Sequence, residues 1–211
     1  QRTGGDVLLN HSISINKIKD ERHGKRISLG FAYKVAAEIG SLGDNVHFLR
    51  HSIASDRILQ LLTIGSHLNH TVSAHTRWAS VGAISESNCH PVDNETTGGR
   101  TPKSGIIHVC LNGDIDNYLQ LKNEYEDRYD KIQNEITTDT KIIPMQIERH
   151  LKTGCDLTTA FLKALNDFEG SHAISMHSDL APGKLSLGQR GSGQAVFVGI
   201  AKDHFMPASE V

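Results

Sequence analysis

The order of hydrophobic periods along this chain predicts a layered α+β domain, and three observations carry that expectation. A continuous apolar run at residues 106–111 is flanked by polar segments, as a buried strand requires. Two stretches, 142–151 and 157–168, place apolar residues at helical spacing. After Gly170 the period changes to two and stays there through four short runs. Strands, two helices and then a strand meander is the pattern of sheets layered against helices.

Taken in order, residues 7–9 and Ile13, Ile15 and Ile18 predict short strands, and the charged stretch 20–26 predicts a loop. Phe31, Val35, Ala36 and Ile39 fit an amphipathic helix ended by Gly40. A second helix is expected after Gly43, capped by Asp44 or Asn45. It carries Val46, Leu49, Ile53, Ile58, Leu61 and Leu62, and stops near Gly65. Alternation over 72–79 predicts a strand. Residues 81–103, rich in Ser, Asn, Thr, Gly and Pro, predict a long surface loop, and a loop of that length in a small domain points to function. Beyond the 106–111 strand, Asp114 or Asp116 is expected to cap a short helix through Tyr118, Leu119 and Leu121. Thr138 is expected to cap a helix carrying Ile142, Ile143, Met145, Ile147 and Leu151, which puts Pro144 in the first turns, where its missing N–H does no harm. Asp156 is expected to cap the next, with Leu157, Ala160, Phe161, Ala164, Leu165 and Phe168 on one face. Strands follow at 173–177, 185–189, 195–200 and 205–208, with turns at Pro182-Gly183 and Gly191-Ser192-Gly193.

The chain has 211 residues, room for one domain with a good core, or one domain and an appendage. The division expected is an N-terminal segment with two helices over 1–70 and a core over 71–211. A net charge of -2 gives no electrostatic case for nucleic acid or a membrane surface. No apolar run approaches the roughly 20 residues of a membrane span. Cys89, Cys110 and Cys155 are odd in number and irregularly spaced, which predicts free thiols in a reducing compartment, the cytoplasm. Thirteen histidines include His47 and His51 at i, i+4, but no acid or cysteine joins them in a ligand pattern, so neither metal nor cofactor is expected. Gly191-Ser192-Gly193-Gln194 lacks the lysine and helix of a phosphate loop and reads as a turn. The chain starts at Gln1 and stops directly after an apolar segment, so a fragment of a longer protein is expected.

Chemistry concentrates between His75 and Asn117. Arg77 offers a planar fork of donors suited to a carboxylate. Asn112 and Gly113 follow an apolar strand and combine a side-chain amide with a backbone N–H, a plausible oxyanion trap. Asp139, at the head of a helix, suits an ammonium. Together these describe a free amino acid whose carbonyl is to be attacked. Plainer readings exist for each: a surface salt bridge for Arg77, a turn after a strand for Asn112 and Gly113, a first-turn helix acid for Asp139.

The sequence His75-Thr76-Arg77-Trp78-Ala79-Ser80-Val81-Gly82, then Asn88-Cys89-His90-Pro91, then Asn112-Gly113 with Asn117, then Thr138-Asp139-Thr140 resembles the class II glutamine amidotransferase domains, in that order and spacing. The resemblance covers about residues 72–211. It implies the N-terminal-nucleophile fold, a four-layer αββα sandwich of two antiparallel sheets with helices outside. It also implies glutamine as substrate, with Arg77 and the backbone near Ser80 on its carboxylate and Asp139 on its amine. Asn112 and Gly113 would form the oxyanion hole. Trp78 would be a lid or channel residue, or else a half-buried core aromatic. His90 would sit on a mobile loop over the site, or else be structural. The family's nucleophile is an N-terminal cysteine whose own amine is the base, and the expectation is that it lies upstream of Gln1. Longer matches at 76–82, 112–117, 135–139 and 190–194 point to the branch fused to sugar isomerase domains, with fructose 6-phosphate as acceptor and a homo-oligomer as the assembly. The other reading is a catalytically silent glutamine-binding or scaffold domain.

Overall fold

The protein is described by a computed structural model over residues 13–20, 24–36, 43–77, 80–99 and 105–210. Its centre is an antiparallel sheet of β3 (Ile107–Gly113), β4 (His172–Ser178) and β5 (Leu185–Arg190), with β4 in the middle. Val109 pairs with Met176, and Leu111 with Ile174, which in turn pairs with Gly188. Alternation along the strands turns Ile107, Val109, Leu111, Ile174 and Met176 to one face, where all are fully buried. Helices α4 (Ile142–Lys152) and α5 (Leu157–Asp167) pack on each other; α4 lies on β3 and α5 on β5. A shorter helix, α3 (Tyr118–Glu126), packs against α4.

Residues 142–148 of α4 are all buried, more than one amphipathic stripe requires. The extra cover comes from the 80–99 loop, and here the expected surface loop is corrected. Asn88, His90, Val92, Asn94 and Thr96 are buried in alternation, and Val92 exchanges both backbone hydrogen bonds with Val109 (2.9 and 3.0 Å) along the outer edge of β3. Polar side chains enter the interior because each finds partners. Asn94, for example, accepts from Ile107 N (3.0 Å) and donates to Glu148 Oε2 (2.7 Å), tying β3 to α4.

Asp156 caps α5 as expected, accepting from Thr159 N at 2.9 Å, and Pro144 falls in the first turn of α4. Other local expectations are overturned. Residues 24–31 form β2 (Gly24–Phe31), paired with β1 (Ile13–Asp20) up to Ile13↔Phe31; the ladder claims Phe31, and residues 32–36 are not helical. It also absorbs most of the expected charged loop. The long helix after Gly43 is two: α1 (Asp44–Ser55) and α2 (Arg57–Ile64) are broken at Asp56, whose extended backbone lets its side chain accept from Ile58 N and Leu59 N. Gly43, not Asp44 or Asn45, is the N-cap of α1, and Asn117, not Asp114 or Asp116, that of α3. Thr138 makes no cap bond, because its hydroxyl turns to the Asp139 carboxylate instead. Residues 72–77 join no strand ladder among the described residues. The expected strand at 7–9 and the end of the expected helix at 37–40 lie outside them. A last hairpin, β6 (Phe197–Ile200) with β7 (Phe205–Ala208), follows as the period-two pattern predicts.

Candidate active site

The site is assembled at the end of β3. Gly113 has φ +111, and a Cβ there would lie 2.1 Å from Ser171 O, so only glycine lets the chain turn here. Asn112, one residue earlier, faces away from the helices and lines a cleft of about 110 Å³ with His75, Cys110, Ser175 and Leu187. Just past the glycine, Asp114 Oδ1 accepts from Ser80 Oγ (2.6 Å) and Ile115 N donates to Asp139 Oδ2 (2.9 Å). One turn of chain therefore touches both of the other motif segments.

Those two segments also touch each other. Arg77 donates to the carbonyls of Val81 and Ala83, the latter at 3.2 Å, and so curls its own loop. A guanidinium has five N–H donors, which these two bonds do not exhaust. Gly82, at φ +86, lies flat on the Thr137-Thr138 peptide, with 2.8 Å between a built Cβ and the Thr137 carbonyl. Ala83 N donates to Thr137 Oγ1 at 2.9 Å. Asp139 is 4% exposed, and burial first of all pushes its carboxyl above the usual range; Asp114 acts in the same direction and the N–H groups of Ile115 and Thr140 oppose. A buried carboxylate of that kind is stabilised by any cation brought to it.

Of the two places expected for His90, the structure shows the structural one. His90 is 8% exposed, its ring 4.2 Å from that of His75. Its Nδ1 accepts from Leu111 N (3.4 Å), so Nε2 carries the hydrogen towards Thr140 Oγ1 (2.8 Å), while His75 Nε2 donates to Leu111 O (2.9 Å). Two imidazoles thus take the place of a neighbouring strand where the Val92–Val109 bridge leaves off. Burial first, then the proximity of His75, Arg77 and Lys34, which would repel a second cation, pull His90 down to about 3 and keep it neutral.

The thiols are not primed. Burial pushes Cys110 up to about 11 and raises Cys89 as well. Cys155 is lowered by hydrogen bonds from Thr153 and Lys163, but it precedes α5 and is not among the residues gathered here. Arg77, Ser80, Asn112, Gly113 and Asp139 are brought together; Trp78 lies outside the described residues. Sequence reasoning gave no role to Asn88 or Thr137, and to Asp114 only that of a helix cap, although Asn88 stands in the Asn-Cys-His-Pro motif. Among the described residues no three His, Cys, Asp or Glu side chains cluster as metal ligands.

No protein-family model matches the chain. It is 36% identical over 138 residues to the glutamine--fructose-6-phosphate aminotransferase [isomerizing] of Methanothermobacter thermautotrophicus, covering 65% of this chain and 21% of that protein. It is 37% identical over 145 residues to the Helicobacter pylori protein of the same name, covering 68% and 22%. The chain thus spans about a fifth of the length of the curated relatives it matches. Among solved structures it resembles glutamine phosphoribosylpyrophosphate amidotransferase from B. subtilis, with a TM-score of 0.51 and 20% identity over 64% of this chain and 26% of that one. That likeness shows the fold, the sequence likeness is independent of it, and together with the motifs joined at the end of β3 they identify the chain as a class II glutamine amidotransferase domain of the N-terminal-nucleophile type.

Proposed function

We propose that this domain binds glutamine for cleavage to glutamate and ammonia, the ammonia passing to a sugar phosphate, fructose 6-phosphate, on a synthase or sugar isomerase domain. The observation that carries the reading is the convergence of the Arg77 loop, the Asp139 carboxylate and the Asn112-Gly113 turn on residues 112–115. Arg77 and the backbone near Ser80 take the substrate carboxylate, and Asp139 takes the ammonium, which relieves its unfavourable burial. Trp78 closes over the ligand. His90 acts from beneath, fixing Leu111 and through it the direction of Asn112.

The chemistry follows from what the side-chain amide needs. A thiolate adds to the amide carbon, the carbonyl oxygen becomes an oxyanion held by the Asn112 side chain and Gly113 N–H, and ammonia departs with a proton as the thioester forms. Water then cleaves the thioester to glutamate and free thiol. Burial raises the thiols of Cys89 and Cys110, which disfavours the thiolate that the attacking role needs at neutral pH. The family resemblance implies an N-terminal cysteine as the attacking group. The cytoplasm suits three free thiols, and among the described residues no helix is long and apolar enough to cross a membrane.

Residues 71–211 are read as the core unit, since every core-cluster residue lies between Ile107 and Met176, while α1 and α2 bury none of their residues. Exposed Ile58, Leu61 and Ile64 on α2, with Ile200 and Phe205 on the last hairpin, supply apolar surface for a homo-oligomer or a partner domain.

Treating the natural full-length protein with an electrophilic glutamine analogue and mapping the added mass tests the reading. A labelled N-terminal cysteine, with labelling lost in Arg77→Ala or Asp139→Ala, is the expected result. Glutamine binding without any label moves the domain to the silent, glutamine-sensing alternative.

A further inference from the structure

The side chain of Asn88 is fully buried and its hydrogen bonds are saturated. Oδ1 accepts from Thr137 N (2.7 Å) and Thr138 N (3.0 Å). Nδ2 donates to Ser85 Oγ (2.8 Å) and Glu135 O (3.2 Å), with Thr137 Oγ1 at 3.3 Å. Backbone donors on one side and a carbonyl on the other leave the amide a single orientation. One side chain therefore does for residues 135–138 what a neighbouring strand does elsewhere, pairing successive backbone groups.

What that turn carries makes the arrangement more than structural. At its far end is the Asp139 carboxylate. On its outer surface sit Gly82, against the Thr137-Thr138 peptide, and Ala83, bonded to Thr137 Oγ1, and both belong to the loop that Arg77 grips. The two charged poles offered to an amino acid are thus mounted on a single turn, and Asn88 is the group that fixes its shape.

We infer that Asn88 is a positioning and specificity-determining residue, setting the separation between the carboxylate-binding loop and the ammonium-binding carboxylate so that the site selects ligands bearing both groups. This rests on the glutamine reading above. Each pole alone is local: a ligand with only one of the two groups does not sense their spacing. A ligand with both gains from the second contact only if the spacing is right, in the manner of a chelate.

The test is calorimetric titration of this chain, needing no turnover, with glutamine, 4-carbamoylbutanoate (no amine) and 4-aminobutanamide (no carboxylate). The unaltered chain is expected to bind glutamine at least tenfold more tightly than either single-pole ligand. In Asn88→Ala, glutamine is expected to weaken at least fivefold while the single-pole ligands stay within twofold. Preservation of the glutamine preference in a folded Asn88→Ala, or equal weakening of all three ligands, overturns the inference and leaves the functional reading standing. Failure of the unaltered chain to bind glutamine sinks both. Should Asn88→Ala not fold, Ser85→Ala removes one partner of Nδ2 and leaves the rest; a loss of at least threefold confined to glutamine supports the inference and an unchanged preference refutes it.

Discussion

Gly113 shows how much a single residue decides in this domain. Its left-handed backbone and its 2.1 Å approach to Ser171 O make any Cβ both strained and clashing, and the two nearest atoms are backbone, which cannot rotate away. Gly113→Ala is expected to cost at least about 2 kcal/mol, strain of this kind amounting to roughly 1–3 kcal/mol before the clash is added. Urea unfolding measures it, and a variant within experimental error of the unaltered chain would refute the close approach. This glycine was legible in the sequence, because Asn-Gly after an apolar run has few other uses. Arg77 and Asp139 were singled out in the sequence by their charge, and the structure places the first on the 81–83 carbonyls and the second on Ile115 N. Asn88 was not, since a buried asparagine and a solvated loop asparagine look alike until its partners, some fifty residues away, are known. His90 was left between a loop and a structural role on the same ground: polarity alone does not reveal that Thr140 and Leu111 wait for it.

At the scale of elements, the sequence was legible where packing and local signals agree and misleading where they part. Strand β4 and the helices α4 and α5 combine a clear period with a buried face, and they stand within a residue or two of expectation. The segment 31–36 has helical spacing but is next to a β-ladder, and the ladder prevails. The same contrast yields a prediction. Asp156 and Asp56 cap their helices through the same kind of bond, but α5 buries Ala160, Phe161 and Ala164 while α2 buries nothing. Removing a cap frays the first turn; global stability responds only if that turn is coupled to the core. Asp156→Ala is expected to lower Tm by about 2–4 °C. Asp56→Ala is expected to leave Tm within about 1 °C and to reduce only the far-ultraviolet helical signal. Equal shifts in Tm would show that α2 is held against the core after all.

For the whole molecule, the decisive feature is how many histidines are folded away from water in the neutral form. His90 is pulled down to about 3, and His75, His172 and His177 are all lowered, burial being the first cause in each. The unfolded chain takes up these protons near pH 6.5 and the folded chain does not, so acid favours unfolding: stability is whole above 6.5 and declines below it. His90 alone contributes a slope of about 1.4 kcal/mol for each pH unit between 6.5 and its folded value. The raised carboxyl of Asp139 works the other way, since there the folded state binds the proton more readily, and its effect sets in above the ordinary carboxylate range. Asp93, lowered overall with Lys141 the leading favourable influence, adds a further loss in that acidic range as its ion pair is neutralised. Four lowered histidines oppose one raised carboxyl as the pH falls below 6.5, and the urea midpoint is expected to fall between there and about pH 4.5. His90→Gln, which keeps a neutral hydrogen-bonding side chain but cannot be protonated, is expected to be less stable at pH 7.5 and to show a shallower slope below 6.5. A midpoint that holds or rises as the pH drops to 4.5 would mean that water and protons reach the His75–His90 pair in the folded state, and the two rings could not then be standing in for a strand along the edge of β3.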